Sequence, residues 1–185
     1  MNERLKSIVD LVKYPIYDLN SPIIKNLIKR CKEELDQFSC STIPNFILPK
    51  SLKIMNSELD KQLDEVYMSK ESINPYLHAK DDQKLPKDHP KRTFMNRYNG
   101  YLNSDCFPEN SEMKYLYETD ELLKFISACL GVSPIYRWAD PLACHAYNVM
   151  NPKGILPWHF DSCEFTLSIM IQKPEKGGIF EYCPN

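Results

Sequence analysis

"LPWHFDSCEFTLSIMIQKPEKGGIFEYC", residues 156–183, is the stretch on which the reading of this sequence turns. From Phe165 to Gln172 it alternates, and successive side chains of an extended chain point to opposite sides. Phe165, Leu167, Ile169 and Ile171 share one face, while Thr166, Ser168, Met170 and Gln172 share the other. "KPEKGG" reads as a turn and "IFEYC" as a further strand. Just upstream, His159 and Asp161 stand two apart, so an extended backbone presents an imidazole nitrogen and a carboxylate oxygen to one point.

Working outward, "PIYRW" and "HAYNVM" also read as strands, whereas the chain before Gly131 reads as helical. Ser21 followed by Pro22 is a helix start, because serine caps the first free amides and proline suits the first turn. Ile24, Leu27, Ile28, Cys31 and Leu35 then recur at helical spacing. "FSCSTIPNFIL" reads as a short β segment broken by Pro44. A second helical stripe follows through Leu52, Met55, Leu59, Leu63 and Val66. Thr119 or Asp120 caps a third helix, "ELLKFISACL", which Gly131 terminates. Residues 69–110, rich in Pro, Asn, Asp and Lys, read as a long irregular connection. Helices first and antiparallel strands afterwards give an α+β class. The chain is expected to be a single domain over 1–185. Residues 1–131 form its mainly helical part, with the irregular segment near 69–110, and residues 132–185 its β part, which carries the H-x-D.

Composition sets the bounds. At 185 residues the chain supports one domain with its own core. A net charge of −2 gives no global attraction for nucleic acid or an anionic membrane. The basic residues Lys84, Lys87, Lys91, Arg92 and Arg97 are interrupted by Asp81, Asp82 and Asp88 and read as a solvated loop, so nucleic acid is not an expected partner. His78 and His89, in the same region, read as surface histidines. Seven cysteines, an odd number with no C-x-x-C pair and no leader-like N-terminus, imply free thiols in a reducing compartment. No apolar stretch is long enough for a bilayer. A cytoplasmic location is expected.

H-x-D supplies two ligands of a 2-His-1-carboxylate triad, a set that holds iron(II) with open positions. With the alternating strand and "PEKGGIFEY" after it, the motif resembles the iron(II)/2-oxoglutarate-dependent oxygenase superfamily, particularly its prolyl-hydroxylase-like branch. "ADPLACHAYNVMNPKGILPWHFD" is similar to the strand that enters the metal site there, and "STIPNFILPKSLKIMNSEL" to its strand-then-helix prelude. The resemblance implies N-terminal helices packed on a double-stranded β-helix, a jelly-roll-type core. It implies Fe(II) held by His159 and Asp161, 2-oxoglutarate as cosubstrate, and hydroxylation of a small molecule or protein side chain by a dioxygenase. Asn148, Thr166 and Ser168 are then candidates to line the cosubstrate site, or else side chains hydrogen-bonded within the sheet. Trp158 and Phe160 are expected to pack behind the histidine. His145 is a candidate substitute ligand or a core residue, and Cys163 is not expected to ligate.

The pattern is incomplete. No histidine follows His159 and no arginine follows Arg137, so the family's second His ligand and its 2-oxoglutarate-binding Arg are absent. The β-helix would therefore be incomplete, lacking its C-terminal half. A truncated chain, inactive alone, is the expectation. The alternatives are a natural short form completed by a partner chain or a dimer, and a non-catalytic binding or interaction protein of the same ancestry.

Overall fold

A computed structural model of the chain describes residues 2–184. Among the described residues five α-helices and three strands are formed, in the order α1 (Glu3–Ile8), α2 (Pro22–Phe38), α3 (Pro49–Asp60), β1 (Tyr67–Ile73), β2 (Met95–Leu102), α4 (Glu112–Glu118), α5 (Asp120–Leu130) and β3 (Tyr147–Val149). Helix α2 begins where the sequence places it. The Ser21 hydroxyl accepts the Ile24 amide at 3.3 Å, and Pro22 occupies the first turn. Its stripe of Ile24, Leu27 and Cys31 is buried. Helix α5 ends at Gly131, whose φ of 71° is the left-handed conformation that glycine adopts without steric cost. Thr119 sits at its N-terminus but does not cap it with its side chain. The hydroxyl instead donates to the Tyr115 carbonyl at 2.8 Å, tying α5 to the end of α4.

The helices meet around Leu5, Ile8, Ile24, Met55, Leu116 and Phe125, each less than 2% exposed. Phe125 stacks on Phe46, with ring centroids 6.2 Å apart. Cys31 and Cys129 touch where α2 packs on α5, and the neighbouring thiol and burial together push the Cys129 thiol upward. Between α3 and α4, the Ser51 hydroxyl donates to the Glu112 carboxylate.

The sheet is open and antiparallel, in the order β1-β2-β3. Tyr67 pairs with Tyr101 and Ile73 with Met95, while Tyr101 pairs across the other side with Asn148. Directly opposed residues share a face. Leu102 and Tyr147 therefore point together into the helical core, where both are buried. Gly100 lies on that face at a point of close approach. A Cβ there would stand 2.5 Å from Val66 Cγ1 and 2.9 Å from Met68 Sδ. Arg97, Asn99 and Tyr101 take the opposite face, together with Ser69, Glu71 and Asn148.

This architecture corrects several expectations. The domain is mostly helical with one small open sheet, not helices on a complete or incomplete double-stranded β-helix. The fold implied by the oxygenase resemblance is thus absent, and the resemblance loses its main support. Strands β1 and β2 fall mostly inside the stretch read as irregular, and α4 forms just beyond its end. Of the segments read as strands, only 147–149 joins the sheet; 134–138, 165–172 and 179–183 enter no ladder among the described residues. The physical reason is that alternation specifies two chemically different faces, whereas a ladder also needs a neighbour with free amides and carbonyls. Ile169 and Ile171 do lean on the core, but Phe165 and Leu167, on the same face, stay about half exposed.

Candidate functional site

Strand β2 builds one wall of a cleft of about 190 Å³, lined by Leu77, Arg97, Tyr101, Asn148, Leu156, His159, Asp161 and Ser162. Arg97 and Tyr101 project from alternate positions of β2, and Asn148 from the opposed position of β3. The other wall is residues 156–162, held beside the sheet at two points. Ile155 exchanges backbone hydrogen bonds with Tyr98 at 2.7 and 2.8 Å, and the Phe160 amide donates to the Pro75 carbonyl at 2.8 Å. The Phe160 ring also meets Tyr76, with centroids 5.0 Å apart. Leu77 is positioned by Asn74, a buried side chain that accepts the Tyr76 and His78 amides and donates to the Lys91 carbonyl at 2.8 Å.

Within the cleft, polar groups of both signs converge. Nδ1–H of His159 donates to the Pro157 carbonyl at 2.8 Å, which leaves Nε2 facing Asp161 Oδ1 at 3.4 Å. In the neutral tautomer that this hydrogen bond selects, Nε2 and Oδ1 present two adjacent acceptors to the cleft. Asp161 is oriented from behind by the Thr166 hydroxyl, which donates to Oδ2 at 2.8 Å. Arg97 donates through Nε to Asn99 Oδ1 at 2.6 Å and lies 3.7 Å from Glu71. Its Nη2 has no hydrogen-bond partner among the described residues. Burial, followed by the Asp140 carboxylate, pushes the Tyr101 hydroxyl upward and keeps it a neutral donor.

The structure thus brings His159, Asp161, Asn148 and Thr166 together at one place. Ser168 is exposed and does not line the cleft. Trp158 and Phe160 are more than half exposed, so neither packs behind His159 as expected. Arg97 and Tyr101 were not singled out as site residues from sequence. Arg97 reads there as the last cation of a solvated loop, although the Arg97, Asn99, Tyr101 alternation was available as a signal of one strand face.

His145 stands elsewhere, beside Phe107 and Tyr117. Cys144 Sγ is 3.1 Å from its Nδ1, a geometry that invites comparison with an activated thiol. Burial, and then the Lys114 cation, pull its basicity down, and its Nε2 is buried without a hydrogen-bond partner among the described residues. Burial of the ring disfavours an imidazolium there, which weighs against His145 as the base for a thiol.

The donor set does not fit an iron centre. His159 and Asp161 offer two ligands, and among the described residues no group of three or more His, Cys, Asp or Glu gathers to hold a metal ion. Fe(II), 2-oxoglutarate and the dioxygenase or oxidoreductase reading are therefore set aside, for a fragment as well as for a whole enzyme, and so is a binding protein of oxygenase ancestry. In comparisons with known proteins, no family model and no curated protein matches the chain. No helix among the described residues is long and apolar enough to cross a membrane.

Proposed function

We propose that the chain is a binding protein for a small zwitterion of the amino-acid type, held in the cleft between β2 and residues 156–162. The observation that carries this reading is the facing pair of acceptors, His159 Nε2 and Asp161 Oδ1 at 3.4 Å, in a cleft that also contains the Arg97 guanidinium. An ammonium group has three donors and no acceptor, so it satisfies both atoms at once. A carboxylate on the same ligand complements the guanidinium, the commonest planar partner for that group. Tyr101 and Asn148 add neutral hydrogen bonds, and Leu77 and Leu156 supply apolar walls, the usual balance of a small-molecule site. A volume of about 190 Å³ lies below the usual range of drug-sized ligand pockets, which favours a small ligand.

Titration calorimetry with a panel of free small amino acids, their N-acetyl derivatives and their methyl esters tests the reading. A free zwitterion is expected to bind, and blocking either end is expected to weaken it about ten- to hundredfold, the size of a lost charge-assisted hydrogen bond. Asp161→Asn should reproduce the loss for the amine and Arg97→Gln for the carboxylate. Blocked forms that bind as well as the free amino acid, or no binding to about 10 mM, would overturn it. All seven cysteines are unpaired, which supports a reducing, cytoplasmic setting for this activity.

A further inference from the structure

We infer that residues 165–172 form a strand-pairing edge whose occupant is a second copy of this chain, laid antiparallel to the first. Three observations converge. Burial alternates at the end of the segment, with Ile169 and Ile171 against the core and Met170 and Gln172 outward, the signature of an extended chain lying on a surface. The Asn56 amide fixes it there by donating to the Ile171 carbonyl at 3.2 Å. From Asp161 to Pro184, no backbone amide finds a backbone carbonyl among the described residues, so the whole edge is available for pairing.

The apolar content is also available. Phe165, Leu167 and Met170 are each about half exposed. By contrast β1, the outer strand of the sheet, presents Lys70, Glu71 and Ser72 to solvent, the charged blunting that discourages edge pairing. Residues 165–172 carry no such guard.

Charge selects both the partner and the direction. The uncharged run is preceded by Asp161 and Glu164 and followed by Lys173 and Lys176, with Glu175 between those two. Antiparallel pairing of two copies sets the acidic end of one beside the more basic end of the other. Parallel pairing would set like against like, which is unfavourable across a ladder. The chain is therefore complementary to itself in one orientation. This interface adjoins the ligand cleft through Thr166 and Asp161, but its test uses the unliganded chain and exchanges at Glu164 and Lys173, neither of which lines the cleft.

Sedimentation equilibrium over a range of concentrations provides the test, using the full chain and Glu164→Lys, Lys173→Glu and the double exchange. The native chain is expected to approach a dimer and stop there. Each single exchange should weaken dimerisation about tenfold, since by symmetry each contact occurs twice. The double exchange should restore it. Nine residues of extended chain separate these positions by about 30 Å, so restoration reports contact between copies and not within one. Both side chains are exposed, and an unchanged circular dichroism spectrum checks that the variants fold. A chain that stays monomeric, single exchanges without effect, a double exchange that fails to restore, or growth past the dimer without a plateau would each overturn the inference.

Discussion

The helical layer up to Leu130 and the segment from Trp158 to Pro184 have comparable apolar content but opposite fates. In the first, the main apolar stripes have found each other: α2 lies on α5, and Phe125 is fully buried against Phe46. In the second, Ile179 is 84% and Phe180 72% exposed, although their sequence is as strand-like as any in the chain. The difference lies in geometry. A helix satisfies its own backbone and needs only a surface to cover, whereas a strand needs both a surface and a hydrogen-bonding neighbour.

The largest expected effect puts this contrast in one experiment. Phe125→Ala should lose about 3–5 kcal/mol in urea-monitored unfolding, the usual cost of emptying a core aromatic site. Phe180→Ala should stay within about 0.5 kcal/mol, as exposed positions do. Equal losses would mean that the C-terminal segment belongs to the cooperative core after all. Smaller, and confined to the helical layer, is Ser21→Ala, which removes the side-chain cap from α2 and should cost about 1 kcal/mol. A circular-dichroism melt of this variant with no shift would show that Pro22 alone sets the start of the helix.

The smallest effect concerns Glu58, which accepts the Glu112 amide. Burial raises its pKa above the ordinary carboxylate value, and the amide bond opposes this only in part. Because the folded state holds this proton more tightly than the unfolded chain, stability is greatest when Glu58 is protonated in both. It falls as pH rises through the folded value. Glu58→Gln should therefore be more stable than the native chain at neutral pH and should lose that advantage below the carboxylate range. A pH series of unfolding midpoints with parallel curves for the two proteins would contradict it.

What was legible in the sequence follows the same division. The Ser21–Pro22 start, the stripe of α2 and the Gly131 stop were readable because they are local, each settled within a turn or two of helix. The meeting of His159 and Asp161 was readable for the same reason, being only two residues apart. Strands β1 and β2 were hidden by polar residues on both faces: Glu71 and Arg97 on the face that borders the cleft, and Lys70 and Asn96 on the other. Arg97 lies 62 positions before His159, and nothing local announces that the Tyr98–Ile155 bridge will bring them together. The alternation of residues 165–172 was read correctly as a pair of faces and incorrectly as proof of a sheet.

Strand β2 also bears on how a ligand would be found. Its even-numbered residue Leu102 is rooted in the core, and its odd-numbered residues Arg97 and Tyr101 line the cleft, so unfolding one dismantles the other. Occupancy is then thermodynamically linked to global unfolding. A ligand at a hundred times its dissociation constant would add about 2.7 kcal/mol to the folded state. A thermal-shift screen can therefore run through a broad library of small molecules with no label on any of them. In this chain binding at the cleft would register in the melt, because the middle strand of the sheet serves as the transducer.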